Sequence, residues 1–124
     1  LTDGISSGNA DVEQCKSGSL AFYRMIAGDA NANGIADKNE GGLEPLPVYF
    51  EFKASQLGKS GARVQYIRDP WDKGSSSSSY GYATKRARLI EDGSDDPSSG
   101  RNTTFDIWST ANSPENPKAW IGNW

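Results

Sequence analysis

Arg63-Val64-Gln65-Tyr66-Ile67-Arg68 alternates polar and apolar side chains and stops at Asp69-Pro70, a turn signal. That period of two decides the fold class, because the chain ahead of it has a different period. Asn9 or Asp11 is placed to cap a helix running to about Ala27, with Val12, Cys15, Ser19, Phe22 and Ile26 in a stripe at three- and four-residue spacing. Gly28 is a reasonable stop. The stripe is narrow, so this helix needs a sheet to lie on. From Pro47 onward, Val48-Tyr49-Phe50-Glu51-Phe52 reads as a first extended segment, Tyr80 to Ile90 as another strand, and Phe105-Asp106-Ile107-Trp108-Ser109 as a strand antiparallel to 80–90. One helix followed by consecutive antiparallel strands is an α+β arrangement: an amphipathic helix on a small antiparallel sheet, with long loops. Residues 1–10 are expected to be loose, Ser75–Ser79 to form a mobile loop, and Glu91–Thr104 to be a long polar connector.

At 124 residues the chain is expected to be one domain with a modest core, since apolar residues make up only 35%. Net charge is −3, and the one basic run, Lys85-Arg86-Ala87-Arg88, is short and reads as a solvated strand face, so no nucleic-acid partner is expected. There is no histidine and Cys15 stands alone, which excludes a disulfide scaffold and thiol–imidazole or serine–histidine catalysis. Cys15 itself reads as a small buried hydrophobe. No apolar run reaches the roughly 18 residues needed to span a bilayer. The chain starts at Leu1 without an initiator methionine, and the expectation is a processed or truncated chain.

Asp29 to Glu40, DANANGIADKNE, carries the strongest chemical signal. Asp29, Asn31, Asn33, Asp37 and Glu40 fall at positions 1, 3, 5, 9 and 12 of a calcium loop, with Gly34 at position 6, so D-x-[DN]-x-[DN]-G-x5-E is met throughout. Calcium is a hard cation that takes six to eight oxygens, and such a loop points alternate side chains inward. Gly34 permits the sharp turn, and Ile35 at position 7 offers its backbone carbonyl while its side chain is expected to face the core. The same residue types crowd into ordinary polar turns. Gly41, Gly42, Pro45 and Pro47 forbid an exiting helix, which argues against a calmodulin-like switch and for a structural staple. Glu40 normally relies on that helix for its placement.

Asp69-Pro70-Trp71, then Tyr80-Gly81-Tyr82, then Phe105-Asp106-Ile107-Trp108-Ser109, then Ile121-Gly122-Asn123-Trp124 resemble, in this order, the soluble domain of type IV pilin-like proteins, above all the major pseudopilin of type II secretion. The likeness covers about residues 60–124 by motif and the helix ahead of it by position. Asp72 stands where the family's turn has glycine. The resemblance implies a hydrophobic N-terminal helix, absent here, that anchors the subunit in the inner membrane and packs inside a helical filament. It also implies calcium in the loop before the terminal tryptophan, but Thr110 to Lys118 holds no aspartate, so the loop after the helix is the better candidate. Trp71, Trp108, Trp120 and Trp124 are expected to bury large areas and glue sheet to helix.

The expected function is therefore a structural, non-enzymatic subunit: the periplasmic or cell-surface head of a membrane-anchored pilin or pseudopilin, stabilised by Ca2+. Its partners would be further subunits and an inner-membrane assembly platform, with loops 72–79 and 91–104 facing outward. A second class is an extracellular calcium-stabilised module that binds carbohydrate or a protein partner. The nearest catalytic constellation, Asp92, Asp95 and Asp96, lies on a Gly/Ser/Pro loop without the rigid scaffold that acid–base chemistry needs. Asn102-Thr103-Thr104 matches a glycosylation acceptor pattern, which carries no weight in a bacterial protein of this kind.

Overall fold

A computed structural model describes residues 12–71, 79–113 and 116–124, the side chains of 12–15 and 117 excepted. The expected loose segment 1–10, the caps Asn9 and Asp11, the burial of Cys15, Asp72 and nearly all of the serine run lie outside the described residues.

The first helix, α1, spans Val12–Ala27. Its buried residues are Gly18 and the i, i+4, i+8 line Ser19, Tyr23 and Ala27, while Phe22 and Ile26 lie half-buried beside them. Ser19 docks the helix on the sheet: its hydroxyl accepts the Ile67 N–H at 2.7 Å. The helix ends as Gly28 predicts. Gly28 takes φ 63, and the Asp29 N–H reaches back to the Arg24 carbonyl at 3.4 Å, the six-to-one bond of a Schellman cap. A Cβ at Gly28 would stand 2.8 Å from the Pro47 carbonyl oxygen, so glycine also admits the returning chain.

That returning chain is the first departure. Val48 to Phe52 forms no strand. The Tyr49 and Phe50 N–H groups both donate to the Ile26 carbonyl, at 2.8 and 2.9 Å, and so satisfy an orphan acceptor of the helix end instead of pairing in a ladder. The hairpin begins one segment later, with β1 (Leu57–Ser60) against β2 (Arg63–Ile67), antiparallel, with a bulge between Gly58 and Lys59. Gly61 turns the hairpin at φ 58.

The second sheet is β3 (Gly81–Ala83), β4 (Asp106–Ser109) and β5 (Ile121–Gly122), antiparallel in that order. The pairing of 80–90 with 105–109 is thus present, but only over Gly81–Ala83. Lys85–Glu91 is a helix, α2, rather than strand. Lys, Arg, Ala and Leu are strong helix formers, and Gly93 at φ 82 closes the helix while the Ser94 N–H reaches the Leu89 carbonyl at 2.7 Å. The basic run therefore sits on a helix with no buried residue.

Helix α1 packs on both β2 and β3, which makes the arrangement α+β with two small antiparallel sheets. Tyr23, Ala27, Ala32, Leu57, Val64 and Ile67 form one core cluster, and Ala83 with Trp108 the other. The tryptophans divide differently from expectation. Trp108 is buried and Trp120 stacks half-buried on it, whereas Trp71 and Trp124 are 44% and 43% exposed. Gly81 lies directly under the Trp108 indole, and Gly122 under that of Trp124. Gly81→Ala is expected to lower the unfolding free energy by about 1–3 kcal/mol through overpacking. Gly41→Ala, where an added Cβ meets nothing within 4 Å, should change it by less than about 0.5 kcal/mol. Urea unfolding of both variants checks the pair.

Candidate functional site

Two polar constellations stand out, each built around buried carboxylates. The first is the loop that follows α1. Asp29, only 1% exposed, is its hub: Oδ1 accepts the Asn33 N–H at 3.1 Å, and Oδ2 accepts the Gly34 N–H at 2.8 Å and the Tyr23 hydroxyl at 2.7 Å. Burial, then the hydrogen bond to Asp29 and its charge, push the Tyr23 phenol far above its ordinary value. Asn31 Oδ1 accepts the Asn33 N–H at 3.0 Å, and Asn33 Oδ1 accepts the Ile35 N–H at 2.8 Å.

Glu40 closes the ring without an exiting helix. A single 3-10 turn over Asp37–Asn39 brings it round, and its Oε1 and Oε2 accept from Asn33 Nδ2 at 2.5 Å and Asn31 Nδ2 at 3.1 Å. Asp37 is buried, its N–H bonded to the Gly28 carbonyl at 2.7 Å and its Oδ2 accepting from the Ala30 N–H at 3.2 Å. Hydrogen bonds thus join Asp29, Asn31, Asn33 and Glu40, while the Asp37 side chain bonds the Ala30 N–H. The Ile35 side chain does not face the core; it is 50% exposed. The buried apolar residue of the loop is Ala32, at φ 57, whose carbonyl accepts the Val64 N–H at 2.8 Å and ties the loop to β2. Gly34, at φ 90, has Lys59 Nζ above it, where a Cβ would stand 2.9 Å away. Among the described residues no three His, Cys, Asp or Glu side chains gather as a metal-binding group, so any cation here must also draw on Asn31, Asn33 and backbone oxygens.

The second constellation joins the two sheets. Asp69, 1% exposed, accepts the Trp71 N–H on Oδ1 at 3.0 Å and the Ser109 hydroxyl on Oδ2 at 2.5 Å, across forty residues of sequence. Burial, then the Asp69 charge, raise the Tyr80 phenol. At the start of β4, Asp106 accepts the Arg101 and Asn102 N–H groups at 2.8 and 2.9 Å, and Asn102 Nδ2 at 2.9 Å. Asn102 is thus a structural donor, and its amide also reaches Asn123 Oδ1 at 3.1 Å. Asn123 stitches the tail to β4, accepting from the Ile107 N–H and donating to the Phe105 carbonyl at 3.1 and 3.0 Å. Sequence reasoning treated Asp106, Ser109 and Asn123 only as parts of motifs. Their signal was a polar residue inside each aromatic strand pattern.

Two of the connector's carboxylates, Asp95 and Asp96, serve structure. Asp95 pairs with Arg86 at 2.8 Å, and that hydrogen bond holds its carboxyl below the ordinary range. Asp96 caps a 3-10 turn, and hydrogen bonds from Ser98 and then Ser99 hold it low as well. Neither is a proton donor near neutral pH.

In comparisons with known proteins, the chain matches no family model, no curated protein and no solved structure.

Ser109→Ala leaves a buried carboxylate oxygen of Asp69 without its donor and should destabilise the fold by about 1.5–3 kcal/mol, read from urea unfolding. A loss under about 0.5 kcal/mol would show that the bond between the sheets is incidental.

Proposed function

We propose that this chain is the head of a structural subunit that polymerises into a filament of the type IV pilin-like or type II secretion pseudopilin kind. The observation that carries this reading is the Asp69–Ser109 hydrogen bond at 2.5 Å. It ties the Asp-Pro-Trp turn to the last residue of the Phe-Asp-Ile-Trp-Ser strand. Those two segments, with Tyr80-Gly81-Tyr82 and Ile121-Gly122-Asn123-Trp124, are the ones that resemble the family, and β3, β4 and β5 lie side by side through them. An ordered likeness of four short motifs gains weight when the motifs meet in one junction.

In this reading the head sits in the periplasm or at the cell surface, and its partners are further copies of the subunit and an inner-membrane assembly platform. Repeated head-to-tail contacts that do not close build an open helical polymer. Among the described residues no helix is long and apolar enough to cross a membrane. The exposure of Trp71, Trp124 and Tyr49 favours a second reading, an extracellular module that binds carbohydrate on aromatic faces. Arg101 already covers one face of Trp124, its guanidinium carbon 4.8 Å from the ring centroid, which ranks that reading second.

The encoding gene upstream of Leu1 tests the choice. The filament reading expects a short basic leader followed by about 20 retained apolar residues. A secretion signal cleaved near Leu1, with no retained hydrophobic helix, would overturn it. Saturable glycan binding by the isolated chain would then install the second reading.

A further inference from the structure

We infer that the loop from Asp29 to Glu40 binds a calcium-sized divalent cation and that the free carboxylate oxygen of Asp37 is one of its ligands. The inference stands apart from the filament reading, since it rests on the chemistry of this loop alone. Four aspartates are buried among the described residues: Asp29, Asp37, Asp69 and Asp106. On Asp29, Asp69 and Asp106 both carboxylate oxygens accept hydrogen bonds from N–H or O–H groups. Asp37 is the exception. It is 3% exposed, and its Oδ1 has no partner. An ionised oxygen buried without a donor is costly, and pairing or coordination to a metal removes the cost.

The surroundings select the kind of cation. The Asp37 carboxylate faces the loop, because its other oxygen takes the Ala30 N–H. The same loop carries Asn31, Asn33 and Glu40, with both carboxamides turned toward the Glu40 oxygens by their nitrogens. Those two amide groups stand where positive charge is wanted, while their Oδ1 atoms are held inside the loop by the Asn33 and Ile35 N–H groups. The loop's ligand positions carry oxygen only, on Asp29, Asn31, Asn33, Asp37 and Glu40 and the Ile35 carbonyl, although its three carboxylates do not gather into one group. With no imidazole or thiolate in the loop, the set suits calcium better than zinc or copper. Magnesium demands a nearly ideal octahedron at short distance, which an irregular loop with a carboxylate at its far end supplies poorly. Occupancy would also be felt beyond the loop. Asp29 holds the Tyr23 hydroxyl of α1, the Gly28 carbonyl at the end of α1 accepts the Asp37 N–H, and Ala32 holds β2.

Thermal unfolding and isothermal titration calorimetry of the chain and of Asp37→Asn, in EDTA, in calcium and in magnesium, test the inference. The chain should bind one calcium with a Kd of roughly 10⁻⁵–10⁻³ M and unfold at higher temperature in calcium, with a smaller rise in magnesium. In EDTA, Asp37→Asn should unfold at the same or a higher temperature, because it removes a buried charge while keeping an acceptor for Ala30. In calcium the order should reverse, with affinity reduced about tenfold or more. A purely structural Asp37 would give no such reversal. Should that variant not fold, Glu40→Gln takes its place in the titration. The inference is overturned if the unaltered chain gives neither a calcium-dependent shift nor a binding heat up to about 10 mM calcium, or if Asp37→Asn, or Glu40→Gln where it stands in, binds calcium as tightly as the unaltered chain.

Discussion

A carboxylate taken out of water must have its oxygens occupied, and that requirement organises this molecule. With a third of its residues apolar, the chain cannot build a core thick enough to hold its loops by burial alone. Irregular backbone also carries N–H groups that must find acceptors once covered. Buried aspartates answer both needs. Asp29 gathers the turn after α1, Asp69 gathers the Asp-Pro-Trp turn, and Asp106 gathers the chain entering β4. Each stands at an end of regular secondary structure, Asp29 after α1, Asp69 after β2 and Asp106 at the start of β4.

The two halves of the fold meet through few elements. Helix α1 lies across β2 and β3, the Tyr80 N–H bonds the Ile67 carbonyl at 3.1 Å, and Asp69 bonds Ser109. Around them the aromatic residues do unequal work. Phe22 stacks on Tyr82 at 4.7 Å between ring centroids, and Trp120 stacks on Trp108 at 6.4 Å, so those pairs tie helix to sheet and tail to sheet. Trp71 and Trp124 remain half in solvent, and Arg101 covers one face of Trp124.

The candidate loop was legible because its chemistry is written at fixed spacing. Oxygen-bearing residues at alternate positions and a glycine at the turn need no tertiary information to be recognised. What could not be read was which apolar residue of the loop is buried. Ala32 and Ile35 compete for that place, and the hairpin decides it by offering the Val64 N–H to the Ala32 carbonyl, which leaves Ile35 outside. Nor could the pattern single out Asp37, because an orphaned oxygen exists only once neighbours have excluded water.

Sequence alone determined the local matters: the end of α1 at Gly28, the alternation of Arg63 to Ile67, the strand expected at 105–109 and formed over 106–109, and the lack of a helix after Glu40. Each follows from a residue's own backbone preference or from the period of its apolar neighbours. Tertiary structure decided the rest. Val48 to Phe52 has a strand-like composition, yet its N–H groups serve the Ile26 carbonyl, and Leu57–Ser60 takes the place beside β2. Lys85–Glu91 follows a strand pattern closely enough to extend β3 on paper, but β4 pairs only Gly81 to Ala83. Beyond that point the helical preference of its residues is unopposed. Strand pairing is a property of two segments, so one segment read by itself cannot reveal whether its partner reaches it.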